Sequence, residues 1–184
     1  ALKNSGNTGL NAMITNRSVS VSTLTVNQST DTTYGGTIYG PVALVKDGVG
    51  RLTLAYPTKY SGATTVRGGT LRLGVSSAVA SASPLVLDGG TLDVASATNA
   101  FASLTVASPS TLALGDGQLL IASQTTNAWS GQLALTGTLG PQTVRTQPLL
   151  TGGQLGRIRY NGQRVTQDSA GYLSPYCGML IRIY

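Results

Sequence analysis

GVGRLTLAYPTKYSGATTVRGGTLRLG, residues 48–74, contains one small pattern twice. Leu52 and Leu54 are separated by a single residue, as are Leu71 and Leu73, and each pair follows a glycine-containing step. Side chains alternate between the two faces of a β-strand, so leucines at i and i+2 point the same way. The segment therefore reads as two short strands whose apolar sides share one interior.

The same beat runs outward from this stretch. Paired apolar residues return at Leu92/Val94, Leu112/Leu114 and Leu133/Leu135, with first members spaced 19, 21, 20 and 21 residues apart from Leu52 onward. A second series, Val66, Leu85/Leu87, Leu104/Val106 and Leu119/Ile121, falls between them. Short strands that recur about every 20 residues bury their inward faces when each turn stacks on the one before. The interval is too short for propeller blades or paired-helix repeats, which run to roughly 33–50 residues. Leucine-rich repeats share the period, but their asparagine and helical half are missing here. The pattern predicts an all-β fold, a parallel β-solenoid of about 20 residues per rung. The predicted core ladder is Leu52, Leu54, Val66, Leu71, Leu73, Leu85, Leu87, Leu92, Val94, Leu112, Leu114, Leu133 and Leu135.

Glycine pairs followed by threonine mark the predicted rung corners: Gly35 and Gly36, Gly68 and Gly69, Gly89 and Gly90. Glycine reaches positive φ without a Cβ clash, and the threonine after it suits a pleated strand. One domain over residues 1–184 follows, with an N-terminal arm and first strands at 1–34, rungs at 35–140 and a C-terminal cap at 141–184. Nine rungs at about 4.8 Å would make a rod on the order of 40 Å long.

The ends depart from the beat. RSVSVSTLTV, residues 17–26, alternates small polar with apolar residues, but the phase slips between Val21 and Leu24, which predicts a bulge or corner. The leading ALKNSGNTGLN reads as an arm or loop. After Gly140 the beat fades, and Arg157 to Val165 reads as a hairpin around Asn161-Gly162. A solenoid exposes unpaired backbone at its terminal rungs, a template for another chain unless covered. Val19, Val21, Leu24, Val26, Tyr172, Tyr176 and Tyr184 are the candidates for assembly contacts at those ends.

Composition restricts the chemistry. Only 10% of residues are charged and there is no histidine, which removes the usual zinc and copper sites and any histidine-activated serine nucleophile. All six acids are aspartates, and Asp47, Asp88 and Asp116 each precede a glycine, where a turn aspartate is expected. Asp88 and Asp93 are the acids nearest in sequence, and neither suggests the converging carboxyl pair of a glycoside hydrolase. No catalytic residue, metal or cofactor is predicted. Net charge is +6, spread thinly except where Arg145, Arg157, Arg159, Arg164 and Arg182 meet only Asp168, a pattern unlike a nucleic-acid site. The lone Cys177 has no internal disulfide partner and is expected to be a small buried hydrophobe. No apolar run is long enough to span a membrane. The start at Ala1 and the lysine-poor composition favour an exported, mature chain.

Residues 48–74 resemble the autotransporter-associated β-strand repeat, in which G-x-G-x-L-x-L is followed by Y-x-G-x-T-x-V and then G-G-T-L. The matching positions are Gly48, Gly50, Leu52, Leu54, Tyr60, Gly62, Thr64, Val66, Gly68, Gly69, Thr70 and Leu71, with a weaker echo in LVLDGGTLDV at 85–94. QLGRIRYNGQRVTQDSAGYLSP, residues 154–175, is similar to the end segment of large secreted bacterial proteins that carry this repeat. The resemblance implies a right-handed parallel β-helix, extracellular or at the cell surface of a bacterium, and no catalytic residues. The stretch after Gly140 is too short for a membrane barrel, so self-translocation is not expected.

The leading expectation is a non-enzymatic secreted structural protein, a β-solenoid subunit of an extracellular filament or surface assembly joined through terminal strands. Its partner would be itself, as a head-to-tail homopolymer. The alternatives are a monomeric adhesin or passenger module binding a surface glycan, and a polysaccharide lyase or hydrolase.

Overall fold

A computed structural model of the chain describes residues 12–176, and it is a parallel β-solenoid. The fold follows from the alternation in the sequence. Three strands make one coil, each strand turns its apolar residues inward, and the next coil hydrogen-bonds beneath the first.

One side is a seven-stranded sheet: Thr32–Tyr34, Arg51–Leu54, Thr70–Leu73, Thr91–Asp93, Ser110–Leu114, Leu133–Gly137 and Ile158–Tyr160. The second side has five strands: Ser22–Asn27, Val42–Asp47, Thr64–Val66, Leu85–Asp88 and Leu104–Ser108. The third is split into Met13–Thr15, Thr37–Gly40 and Lys59–Tyr60, then Thr98–Phe101, Gln118–Ile121 and Val144–Thr146. Every neighbouring pair in these three sides is parallel. Only Val165–Gln167 and Leu173–Pro175, after the last coil, pair antiparallel.

The gap in the third side is bridged by side chains. In the coil that lacks a strand there, Thr58 N and Thr58 Oγ1 both donate to Ala78 O, at 3.2 and 2.6 Å. Ala78 N donates to Oδ1 of the buried Asn99 at 2.8 Å. The asparagine amide takes the place of a backbone carbonyl, so the buried N–H keeps a partner.

The predicted ladder residues, Leu52 through Leu135, are all buried and belong to one cluster. Leu52, Leu71, Leu92 and Leu112 stand in register, as the spacing predicts. Two assignments are corrected. Leu112 pairs with Leu135, not Leu133, and Leu133 pairs with Ser110. The strand opens one pair earlier, at Ser110, and the connection before Leu133 is longer and carries Trp129 into the core. A slip of two leaves the inward set inward, so the core tolerates it. Leu119 and Ile121 do not continue the Val66, Leu87, Val106 column. They lie on the third side, against Asn99 and Phe101 above and Val144 and Thr146 below.

The rod is also shorter than nine rungs. Its longest sheet has seven strands, about six turns, because the chain after Tyr160 closes the end instead of adding coils. The phase slip before Leu24 is a corner, with strand structure starting at Ser22.

Leu92 is completely buried, between Leu71 and Leu112. Leu92→Ala is expected to cost about 2–5 kcal/mol, from lost transfer energy and the cavity left between coils. Denaturant unfolding followed by circular dichroism checks this, with the exposed substitution Val49→Ala near neutral as the control.

Candidate functional site

The glycine corner at 68–69 is built by close approach. Gly69 has φ +56°, and a Cβ there would lie 2.5 Å from Gly50 O and 2.6 Å from Gly48 O in the coil above. Only glycine fits both the conformation and the space. Beneath this corner sits a residue that the reading of the sequence missed. Lys46 is fully buried on the inward side of Val42–Asp47, and its Nζ donates to Asp47 O, Gly48 O and Gly68 O at 2.8, 2.9 and 3.1 Å. The ammonium ties two successive corners together through their carbonyls, of which Asp47 O also accepts from Gln28 N at 3.4 Å. Burial pulls its pKa down, and the Asp47 and Asp31 carboxylates pull it partly back. A signal existed, since Val42, Leu44 and Lys46 share one parity.

The tyrosine, glycine and threonine of the Y-x-G-x-T segment form a second buried device. Tyr60 is fully buried and its hydroxyl lies 2.6 Å from Thr64 Oγ1, which lies 3.0 Å from Ser83 Oγ, which in turn donates to Gly62 O at 2.7 Å. Gly62 passes so near Val42 O that a Cβ would meet it at 2.5 Å. Burial pushes the Tyr60 phenol pKa up, and the hydrogen bond with Thr64 opposes this only in part.

Five of the six aspartates, Asp31, Asp47, Asp88, Asp93 and Asp168, are engaged in turns, hydrogen bonds or ion pairs. Asp47 Oδ1 accepts from Gly48 N at 2.8 Å, and Asp168 Oδ1 accepts from Ala170 N and Tyr172 N, each at 2.9 Å. Asp31 pairs with Arg51 at 3.0 Å and Asp93 with Arg72 at 3.1 Å. Asp88 does not hold its own Gly89 N, which donates to Ser110 Oγ. It accepts instead from Ser108 Oγ at 2.6 Å and faces Arg67 at 3.7 Å. Among the described residues no group of three or more His, Cys, Asp or Glu could hold a metal ion.

The arginines of the tail do not converge. Arg145 is on the third side, whereas Arg159 is on the seven-stranded side with its Nη1 donating to Gly156 O and Ile158 O. Arg157 Nη1 donates to Ser130 O at 2.9 Å, and Arg164 is exposed. Arg182, Cys177 and Tyr184 lie outside the described residues, as does the arm over residues 1–11.

The two ends of the rod differ. At the N-terminal end Met13–Thr15, Ser22–Asn27 and Thr32–Tyr34 begin their sheets, and no strand among the described residues lies on their outer side. Of the assembly candidates there, Val19 and Val21 are exposed at the corner, Leu24 is half-buried and Val26 is in the core. At the C-terminal end three buried or half-buried glutamines stand in for backbone. Gln124 Oε1 accepts from Leu104 N at 2.9 Å and its Nε2 donates to Leu104 O at 3.0 Å, as a neighbouring strand would. Gln154 Nε2 donates to Thr125 O and Asn127 O, and its Oε1 closes a capping box with Thr151 on the short helix Gly152–Leu155. Gln167 Nε2 donates to Thr146 Oγ1 and Gly171 O while its Oε1 accepts from Leu150 N.

The segment from Gly171 then crosses the last coil in reverse. Thr146 N donates to Gly171 O at 3.0 Å, and Arg145 and Tyr172 form an antiparallel bridge. The predicted hairpin is reduced to a tight turn. Tyr160 and Gln163 exchange both backbone bonds around Asn161 and Gly162, at φ +49° and +78°, the two positive φ values that a type I′ turn demands. Tyr172 is half-buried under Arg145, and Tyr176 is exposed.

Among protein-family models, the passenger-associated-transport-repeat matches residues 44–73. That span takes in Lys46, Tyr60 and Thr64 of the hydroxyl chain, and the 68–69 corner, so the resemblance read from residues 48–74 holds. No curated protein and no solved structure matches the chain.

Lys46→Met removes the lysine donor from three corner carbonyls and is expected to lower stability by about 2–3 kcal/mol in denaturant unfolding at neutral pH. Tyr60→Phe is expected to cost about 1 kcal/mol at neutral pH. The pH dependence separates the two roles. A phenol whose folded pKa is raised stays protonated while the unfolded chain ionises above about pH 10, so stability falls as pH rises beyond that value. Thermal melts above about pH 10 should show a shallower decline for Tyr60→Phe than for the parent, with the buried Tyr34, whose phenol pKa is also raised by burial, contributing to what remains.

Proposed function

We propose that this chain, a β-solenoid carrying a passenger-associated-transport repeat, is a non-enzymatic structural module of a bacterial passenger, secreted or displayed at the cell surface, and that it works as a short rigid rod closed at one end. The observation that supports this most directly is the reversed segment at Gly171–Pro175. Its Gly171 and Tyr172 lie across the last strand of the third side, where a further parallel strand would have to pair, and Gln167 fastens them there.

Head-to-tail polymerisation needs an open edge at both ends. The closed C-terminal end weighs against the filament expected from the sequence and favours the alternative of a single module. The N-terminal end is where another coil could pair. Engagement of Asp31, Asp47, Asp88, Asp93 and Asp168 in ion pairs and turns supports a structural role over hydrolase or lyase chemistry.

Light scattering and negative-stain microscopy of the purified chain over a wide concentration range test the reading. Single particles with a rod about 30 Å long are expected, from seven strands at about 4.8 Å. A variant lacking residues 163–184 uncovers the last coil and should form oligomers. Fibres from the intact chain would reject the proposal.

A further inference from the structure

We infer that an open cleft on the third side, near the C-terminal end, binds the carboxylate-bearing sugar residues of an acidic polysaccharide. The cleft is lined by Thr98, Gln118, Leu120, Gln142, Arg145 and Tyr172. Of the arginines near the end of the chain, Arg145 lines it and Arg157, Arg159 and Arg164 do not.

Arg145 supplies the charge of the cleft. It faces outward from Val144–Thr146, in register with Leu120 on one side and bridged to Tyr172 on the other. Its Nε donates to Ala170 O at 2.9 Å, and its guanidinium lies over the Tyr172 ring, 5.2 Å from the centroid. These two contacts fix the plane of the fork, and neither uses the terminal nitrogens. The other arginines that the protein orients are occupied: Arg51 and Arg72 by aspartates, Arg157 and Arg159 by carbonyls. No acid lines the cleft, and Asp168 Oδ1 accepts from Ala170 N and Tyr172 N. A pre-oriented guanidinium whose end-on edge, formed by the two terminal nitrogens, is free matches the two oxygens of a carboxylate.

The rest of the lining matches a sugar ring. Thr98 and Gln118 stand side by side on adjacent strands, and Gln142 precedes the next. All three are exposed, and among the described residues their side chains have no hydrogen-bond partner in the protein. Together they offer donors and acceptors for several hydroxyls. Leu120 gives a half-exposed apolar surface for the C–H face of the ring. A peptide carboxylate is the weaker fit. Gln118–Ile121 is held between Thr98–Phe101 and Val144–Thr146, and Arg145 is bridged in turn to Tyr172, so an extended peptide finds no free backbone to join beside the guanidinium.

Calorimetric titration of the intact chain with a galacturonate oligosaccharide tests this, with the neutral galactose oligosaccharide of equal length and an acetylated tripeptide carboxylate as comparators. The acidic sugar should bind saturably, and both comparators at least about tenfold more weakly. Arg145→Gln should weaken binding about tenfold or more, and Arg145→Lys similarly, because an ammonium cannot hold both oxygens in the plane of a fork. Arg164→Gln should leave it within about twofold. The double variant Gln118→Ala/Gln142→Ala changes only exposed side chains, keeps the parent melting temperature and should still lose several-fold affinity, which keeps the test decisive if Arg145 variants fail to fold. No saturable binding, equal binding of the neutral sugar or the tripeptide, or undiminished binding by folded Arg145→Gln would overturn the assignment.

Discussion

Every coil must bring its inward side chains back with the same odd-or-even phase, because a single-residue slip in a strand exchanges its buried and exposed sets. The length of a coil is far less constrained. Leu52, Leu71, Leu92 and Leu112 stack at intervals of 19, 21 and 20 residues, and Leu112 reaches Leu135 after 23. The corners absorb these differences, through glycines that turn tightly and loops that widen. Parity thus holds the core together while circumference drifts, and this is how Trp129 enters the interior without disturbing the leucine column on the seven-stranded side.

A stack of this kind has a polar problem wherever the ladder is interrupted. Corners turn carbonyls inward, a missing strand strands an amide, and the last coil has nothing beneath it. The chain answers each with a side chain of suitable reach: Lys46 for three corner carbonyls, Asn99 for Ala78 N, and Gln124 for both backbone groups of Leu104. Among the described residues no buried side-chain nitrogen or oxygen is without a partner. A carboxamide presents a donor and an acceptor at nearly the spacing of a peptide unit, which explains why glutamine and asparagine recur where backbone is lacking.

The repeating parts of this architecture were legible because they depend on local alternation. Leucines at i and i+2 and glycine pairs before threonine announce strands and corners whatever surrounds them. The assignment of Leu119 and Ile121 was not legible, because one inward pair resembles another and the sequence does not number the sides of the coil. The cap was hidden for a different reason. Gln124, Gln154 and Gln167 act on backbone 17 to 29 residues away, and a single polar residue in a loop carries no mark of such reach. Only the capping box at Thr151 and Gln154 has a local signature. In the same way, nothing adjacent to Arg145 in the chain announces Tyr172 and Ala170, which reach it by folding back across the end of the rod.

The parallel ladder also has a mechanical corollary. Hydrogen bonds between coils run along the long axis, so tension applied to the two termini is concentrated on the few bonds where the chain leaves the outermost rungs and is shared over whole coils further in. Because each coil touches only its neighbours, extension would proceed by peeling, one loop of about 20 residues at a time, instead of by a single cooperative rupture. Peeling would begin at the first coil, since the opposite terminus is stitched by crossed strands and amide bonds. Such a rod is stiff under compression and bending yet yields stepwise when pulled, and each detached loop lengthens the tether.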